Sequence, residues 1–169
     1  MGIECRFIKS EDPRAYADAV DVRTKFIWIE TISNPGNVIP DFKGLAKVVQ
    51  ERGLPLICDN TFGCAGYFCR PIDHGVDIVV HSATKWISGH GTTIGGIIVD
   101  GGTFDWGRYR NRFPQFHASD TRLWRSSAGG RSRCGQLLIG LESLAVRCQR
   151  HAENTQRLAD WLRSNSQKA

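Results

Sequence analysis

The sequence predicts an α/β fold, a mostly parallel sheet flanked by helices, and three observations carry that expectation. Short apolar runs recur through the first hundred residues: "KFIWIE", "LPLICD", "VDIVVH" and "IGGIIVD". They are apolar on both faces, as strands buried between two layers must be. Segments with helical spacing alternate with the earlier runs, which is the pattern of strands joined by helical crossovers.

Taken in order, "CRFIK" is a short strand candidate and "DPRAYADAVD" a short helix, with Pro13 in the first turn where a missing N–H costs nothing. "KFIWIE", Lys25 to Glu30, reads as a buried strand, and "NPGNVIP" supplies turn chemistry. "DFKGLAKVVQERG" then carries an N-cap candidate at Asp41, apolar residues at helical spacing and a terminal Gly53. "LPLICD", "VDIVVH" and "IGGIIVD" are the next three strands. Past Phe116 the texture changes. Residues 117–136 are rich in Ser, Arg and Gly without periodicity and read as irregular; 137–169 regain an apolar stripe through Leu137, Leu141, Leu144, Leu158 and Leu162 and read as one long helix. The resulting division is 1–116, 117–136 and 137–169.

At 169 residues there is room for one domain with a real core. No apolar run is long enough to cross a bilayer, and the first residues hold no apolar stretch of signal-peptide length, so a cytoplasmic protein is expected. "MGIECR" puts Arg6 where a myristoylation signal needs Ser or Thr. The six cysteines show no C-x-x-C spacing, so neither disulfides nor a metal site are expected. The net charge of +5 is concentrated: nine arginines fall between Gly107 and Arg150, opposed only by Asp120 and Glu142. A polyanion-binding face is one reading of that cluster. Few aromatics are interleaved and no nucleic-acid module is recognisable, which favours a solvated or poorly folded basic face, with no nucleic-acid partner and no membrane.

In doubly wound sheets ligands gather at the carboxyl ends of the strands. Asn34 follows the first buried strand, Asp59 closes the second, and Ser82, Thr84 and Lys85 follow the third. Each alone is ordinary loop polarity. Together, at three successive strand ends, they suit pyridoxal 5'-phosphate. Its aldehyde needs an amine (Lys85), its pyridine nitrogen a carboxylate (Asp59) and its phosphate donors (Ser82 and Thr84). Asn34 can bond the phenolic oxygen or a substrate carboxylate. The glycines after Lys85 let the backbone turn away.

The stretches "ETISNPGNVIPDF", "DNTFGCAGYFCRPIDHGVDIVVHSATKW" and "GHGTTIGGIIVDGG" resemble the pyridoxal-phosphate-dependent trans-sulfuration enzymes of cysteine and methionine metabolism. "TKW" and "GHGTTIGG" are most similar to the O-acetylhomoserine sulfhydrylase branch. The resemblance implies Lys85 as the Schiff-base lysine and general base, Asp59 on the pyridine nitrogen, and Ser82 and Thr84 on the phosphate. It implies Asn34 near the substrate and Thr61 as a weaker ring contact. It also implies a small amino-acid substrate, with the γ-acyl group of O-acetylhomoserine or an O-acetylserine-like relative replaced by sulfide or a thiol. Intact members of the family are homo-oligomers, dimers of dimers, and more than twice as long. This chain is therefore expected to be a central fragment of the large domain with an internal deletion after Phe116, and a non-catalytic remnant is the alternative reading.

Overall fold

In the computed structural model, which describes residues 2–117 and 130–165, four strands form one sheet in the order β1-β2-β3-β4. They are β1 (Ile27–Glu30), β2 (Leu56–Asp59), β3 (Ile78–Ser82) and β4 (Gly96–Asp100). The first three run parallel, with Glu30 beside Asp59 and Asp59 beside Val80. β4 returns antiparallel, Ile98 facing Val80. A parallel return needs a helical crossover. Residues 83–95 contain turns but no helix, so the chain comes back beside β3 in the opposite sense.

Helix α1 (Pro13–Ala19) starts at Asp12, whose carboxylate accepts from Arg14 N–H, and α2 (Phe42–Arg52) starts at Asp41, whose carboxylate accepts from Gly44 N–H at 3.0 Å. Gly53 ends α2 in the left-handed region at φ 62°, the cap the sequence predicts. α2 lays Leu45, Val48 and Val49 on Ile27, Ile29, Leu56, Cys58 and Val79. These strand positions alternate with Trp28, Ile57, Ile78 and Val80, which face away from α2 and stay half-buried or exposed; Trp28 retains 48% of its surface. Strands apolar on both faces predict cover on both sides. Among the described residues, α1 and α2 cover one face and the other stays open.

The expected strand at "CRFIK" does not form. Residues 5–9 have no ladder partner among the described residues, and the segment is held by a side chain instead: Arg6 donates to the Ala19 carbonyl and to Asp21. The irregular stretch expected over 117–136 falls mostly outside the described residues. By Gly130 the chain is already helical, so that irregular reading is corrected over 130–136. The single terminal helix becomes two, α3 (Gly130–Glu142) and α4 (Leu144–Asn165), meeting at Ser143.

At the amino end of β2 a buried carboxylate completes the sheet. Asp77 accepts from Leu56 N–H at 2.9 Å with one oxygen and from the Thr103 hydroxyl at 2.6 Å with the other, while its own N–H donates to the Leu56 carbonyl.

Candidate functional site

Parallel pairing sends the chain out of β1, β2 and β3 at one edge, and the sequence-predicted residues collect there. Because paired residues of parallel strands share a face, Asp59, Val80 and Ser82 lie on the open side of the sheet. Asp59 is half-buried. Its Oδ1 accepts from Thr61 N–H at 2.9 Å and from the Thr61 hydroxyl at 2.5 Å. Among the described residues its second oxygen accepts no hydrogen bond, which leaves it available to a ligand.

Ser82 donates its N–H to the Thr61 hydroxyl at 2.8 Å, and its own hydroxyl is unengaged among the described residues. Thr84 differs from the expectation of a free phosphate donor. Its hydroxyl donates to the Gly95 carbonyl at 3.2 Å and accepts from Gly95 N–H at 3.1 Å, clipping the start of the Lys85 turn to the start of β4. Lys85 is exposed and makes no ion pair or side-chain hydrogen bond among the described residues. Asn34 is exposed too. Its N–H donates to Glu30 Oε2 at 3.2 Å, and its side chain is unengaged among the described residues.

The Lys85 turn is braced from behind. Lys85 N–H donates to the Ser82 carbonyl and Gly89 N–H to the Lys85 carbonyl. Gly89 and Gly91 then take φ values of 69° and 66°, a region a side chain rarely enters. α4 holds the turn through Arg147, whose guanidinium donates to the Trp86 and Gly140 carbonyls at 2.8 and 2.9 Å. Trp86 stands edge-on to His151 and packs on a small core of Cys64, Leu144 and Cys148. At Gly140 of α3 a Cβ would stand 2.2 Å from the Ile87 carbonyl oxygen, so only glycine permits this approach. These contacts were not legible in the sequence, where α3 and α4 offer only an apolar stripe.

Beside the site His81 keeps its Nδ1 buried without a hydrogen-bond partner among the described residues, and burial pulls its pKa below the ordinary imidazole value. Burial likewise pushes the Cys58 and Cys64 thiols up to about 12, which fits packing groups rather than nucleophiles. Among the described residues no cluster suits a metal, all six cysteines are unpaired, and no helix is long and apolar enough to cross a membrane. Two arginines of the basic region are used by the fold. Arg112 donates to the carbonyls of Asp21, Thr24 and Arg52, and Arg147 braces the lysine turn.

A free amine, a carboxylate with one open oxygen and an unengaged hydroxyl at one sheet edge match the groups pyridoxal phosphate needs. Residues 1–168 match the family model described as Cys/Met metabolism PLP-dependent enzyme. This chain belongs to that family. It is 64% identical over 182 residues to the sulfhydrylase-like protein lolC2 of Epichloe uncinata, covering 96% of this chain and 38% of the relative. With O-acetyl-L-homoserine sulfhydrylase 1 of Thermus thermophilus the identity is 39% over 192 residues, covering all of this chain and 46% of the relative. That span exceeds the 169 residues present, so the relative carries extra residues within the matched region. Among solved structures, cystathionine gamma-lyase of Lactobacillus plantarum superposes with a TM-score of 0.71 at 32% identity, covering 91% of this chain and 38% of the other. A Campylobacter jejuni chain assigned as an O-acetylhomoserine (thiol)-lyase gives 0.76 at 28% identity, over 91% and 44%, and carries N'-pyridoxyl-lysine-5'-monophosphate. The family resemblance and the α/β fold are thus borne out, and the family's cofactor is pyridoxal phosphate. The chain spans less than half the length of these relatives.

Proposed function

We propose that this chain is the cofactor-holding core of a sulfhydrylase that replaces the γ-acyl group of an O-acylated homoserine, or an O-acetylserine-like substrate, with sulfide or a thiol. The observation that carries the proposal is the placing of a Lys85 amine and an Asp59 carboxylate oxygen, both unengaged among the described residues, at or past the ends of adjacent parallel strands. The names of relatives support the substrate class: lolC2 is sulfhydrylase-like and the Saccharomyces cerevisiae relative, 42% identical, is a homocysteine/cysteine synthase.

Pyridoxal phosphate, when bound, supplies the electron sink that makes an amino acid's α-proton removable. Lys85 would hold the cofactor through its Nζ, and that amine, when free, would take a substrate α-proton as general base. The Asp59 carboxylate would face the pyridine nitrogen and favour its protonated form. The Ser82 hydroxyl would donate to the phosphate, with Thr84 beside it. Asn34 would orient the phenolic oxygen or the substrate carboxylate. As in the family resemblance, the assembled protein is a homo-oligomer working in the cytoplasm. A polyanion-binding role has less support, since two of the nine arginines of the basic region, Arg112 and Arg147, are taken up by backbone carbonyls.

The test is to add pyridoxal phosphate to the chain, reduce with borohydride and locate the added mass by peptide mapping. A cofactor adduct on Lys85, absent from Lys85→Ala, is expected. An adduct spread over surface lysines and unchanged in Lys85→Ala would sink the proposal.

A further inference from the structure

We infer that Thr61 is a positioning residue for the cofactor, one hydroxyl that sets both the Asp59 carboxylate and the Ser82 backbone; this rests on the function proposed above. A threonine hydroxyl has one proton to donate and two lone pairs to accept with. The Thr61 proton is donated to Asp59 Oδ1 at 2.5 Å, and a lone pair accepts Ser82 N–H at 2.8 Å. The same residue's N–H donates to the same Oδ1 at 2.9 Å. Asp59 therefore has one oxygen held by two donors and the other directed away from them. The arrangement leaves a single face of the carboxylate for a pyridine nitrogen.

The Ser82 side of the link matters equally. Two strands beyond their last paired residues, Asp59 and Val80, would each diverge into its own loop. Beyond that pair, the Val80 carbonyl accepts from Asn60 N–H, and the Thr61 hydroxyl then spans from the β2 exit to the β3 exit. The carboxylate that faces the ring and the serine that faces the phosphate are thereby held at one separation. A cofactor recognised at both ends requires that spacing to be fixed before binding. Thr61 acts through Asp59 and Ser82, a role distinct from contact with the ring.

Valine at this position keeps the shape and loses the hydroxyl; serine keeps the hydroxyl and loses a methyl. Two measurements on the full chain separate the roles. The first needs no cofactor: amide hydrogen exchange at Ser82 should quicken about tenfold or more in Thr61→Val, where the N–H has lost its acceptor. In Thr61→Ser it should stay near the parent. The second is the pyridoxal phosphate concentration that half-saturates borohydride-trapped Lys85. Thr61→Val should raise it about tenfold or more and Thr61→Ser should not. Adding Thr61→Val to Asp59→Asn should cost less than it costs the parent, since part of what the hydroxyl orients is already gone. If Thr61→Val leaves Ser82 exchange and half-saturation at parent values, or if its effect adds in full to that of Asp59→Asn, the positioning role is overturned. Should Thr61→Val prove unfolded, Thr61→Ser decides: a loss as large as that of Asp59→Asn overturns the role, because the hydroxyl is still present. A parent that takes up no cofactor, or takes it up equally with Lys85→Ala and Asp59→Asn, overturns the functional reading instead, and this inference with it.

Discussion

The two faces of the sheet are made from the same strands and differ in what they ask of a side chain. On one, Ile27, Ile29, Leu56, Cys58 and Val79 meet α2 and are buried to within 7% of full enclosure. On the other, Trp28, Ile57 and Val80 alternate with them along the same backbone and lack cover among the described residues, and at its carboxyl end stand Asp59 and Ser82. The packed face is where stability resides and the open face is where chemistry can reach. The lesson is that alternate residues of one four-residue strand can answer to unrelated demands.

The sharpest way to break this comparison is at the end of β2, where Cys58 and Asp59 are neighbours facing opposite ways. In a chain completed with the flanking segments of the Thermus thermophilus sulfhydrylase, Asp59→Asn should slow exchange of the substrate α-proton about a hundredfold or more, because the pyridine nitrogen loses its counter-charge. Its unfolding midpoint, measured without cofactor, should move little, since the asparagine oxygen can still accept from Thr61. Exchange as fast as the parent would return Asp59 to a purely structural role.

Next in size is a contrast in stability. Leu56 is fully enclosed, so Leu56→Ala should cost about 2–5 kcal/mol in denaturant unfolding. Trp28→Ala, on the open face, should cost less despite removing a larger side chain. Equal losses would mean that the open face is packed in solution.

Arg112 offers a third comparison, between a charge that ties the fold and charges that merely decorate it. Its guanidinium serves three carbonyls at 3.0 Å, those of Thr24, Arg52 and Asp21. Arg112→Ala should cost roughly 1–3 kcal/mol. Arg110→Ala, which removes an arginine with no such contacts among the described residues, should fall within about 0.5 kcal/mol.

Thiol chemistry reads burial directly. Cys5 and Cys134 are exposed, whereas Cys58 and Cys64 are buried with thiols held at about 12. An alkylating reagent near about pH 8 should label the first two quickly and the second two only on unfolding. Rapid labelling of Cys58 in the folded chain would deny the packed face.

The smallest effect belongs to the N-terminal tether. Asp21 is held well below its ordinary 3.8, first by the Arg6 guanidinium and then by the N–H of Arg23 and the hydroxyl of Thr24. A carboxyl depressed by folding contributes in full above its unfolded value and loses that contribution as pH falls towards the folded one. Amide protection at Arg23 and Thr24, both bonded to Asp21, should therefore persist to pH 3.8 and fade in stronger acid. Protection lost well above that value would remove the tether from the account.

Much of this was legible in the residues, for identifiable reasons. Asp41 and Gly53 announced the ends of α2 because caps are local chemistry, and the apolar runs announced β1 to β4 because burial is periodic. That Asn34, Asp59 and Ser82 lie at or past the same ends of three strands followed from parallel pairing. "CRFIK" misled because apolar alternation marks a strand only if a neighbour exists to pair with it. The direction of β4 was hidden because an apolar run carries no sense of direction. The engagement of the Thr84 hydroxyl was hidden too, since its partner Gly95 lies eleven residues on. The Asp59–Thr61 link had a signal, an aspartate two residues before a threonine at a strand end, the spacing of an Asx turn. Nothing in the spacing pointed onward to Ser82.

Asp77 has a consequence for how this sheet is closed at the edge away from Lys85. Where β3 begins, its backbone ladder stops, and the Asp77 carboxylate carries the bonding on to both sides: to β2 through Leu56 N–H and to the chain leaving β4 through the Thr103 hydroxyl. An apolar residue in its place would leave the buried Leu56 N–H without that acceptor, a loss more costly than a missing apolar contact. Asp77 thus acts as a clasp, fastening two neighbours to the start of one strand with a single side chain.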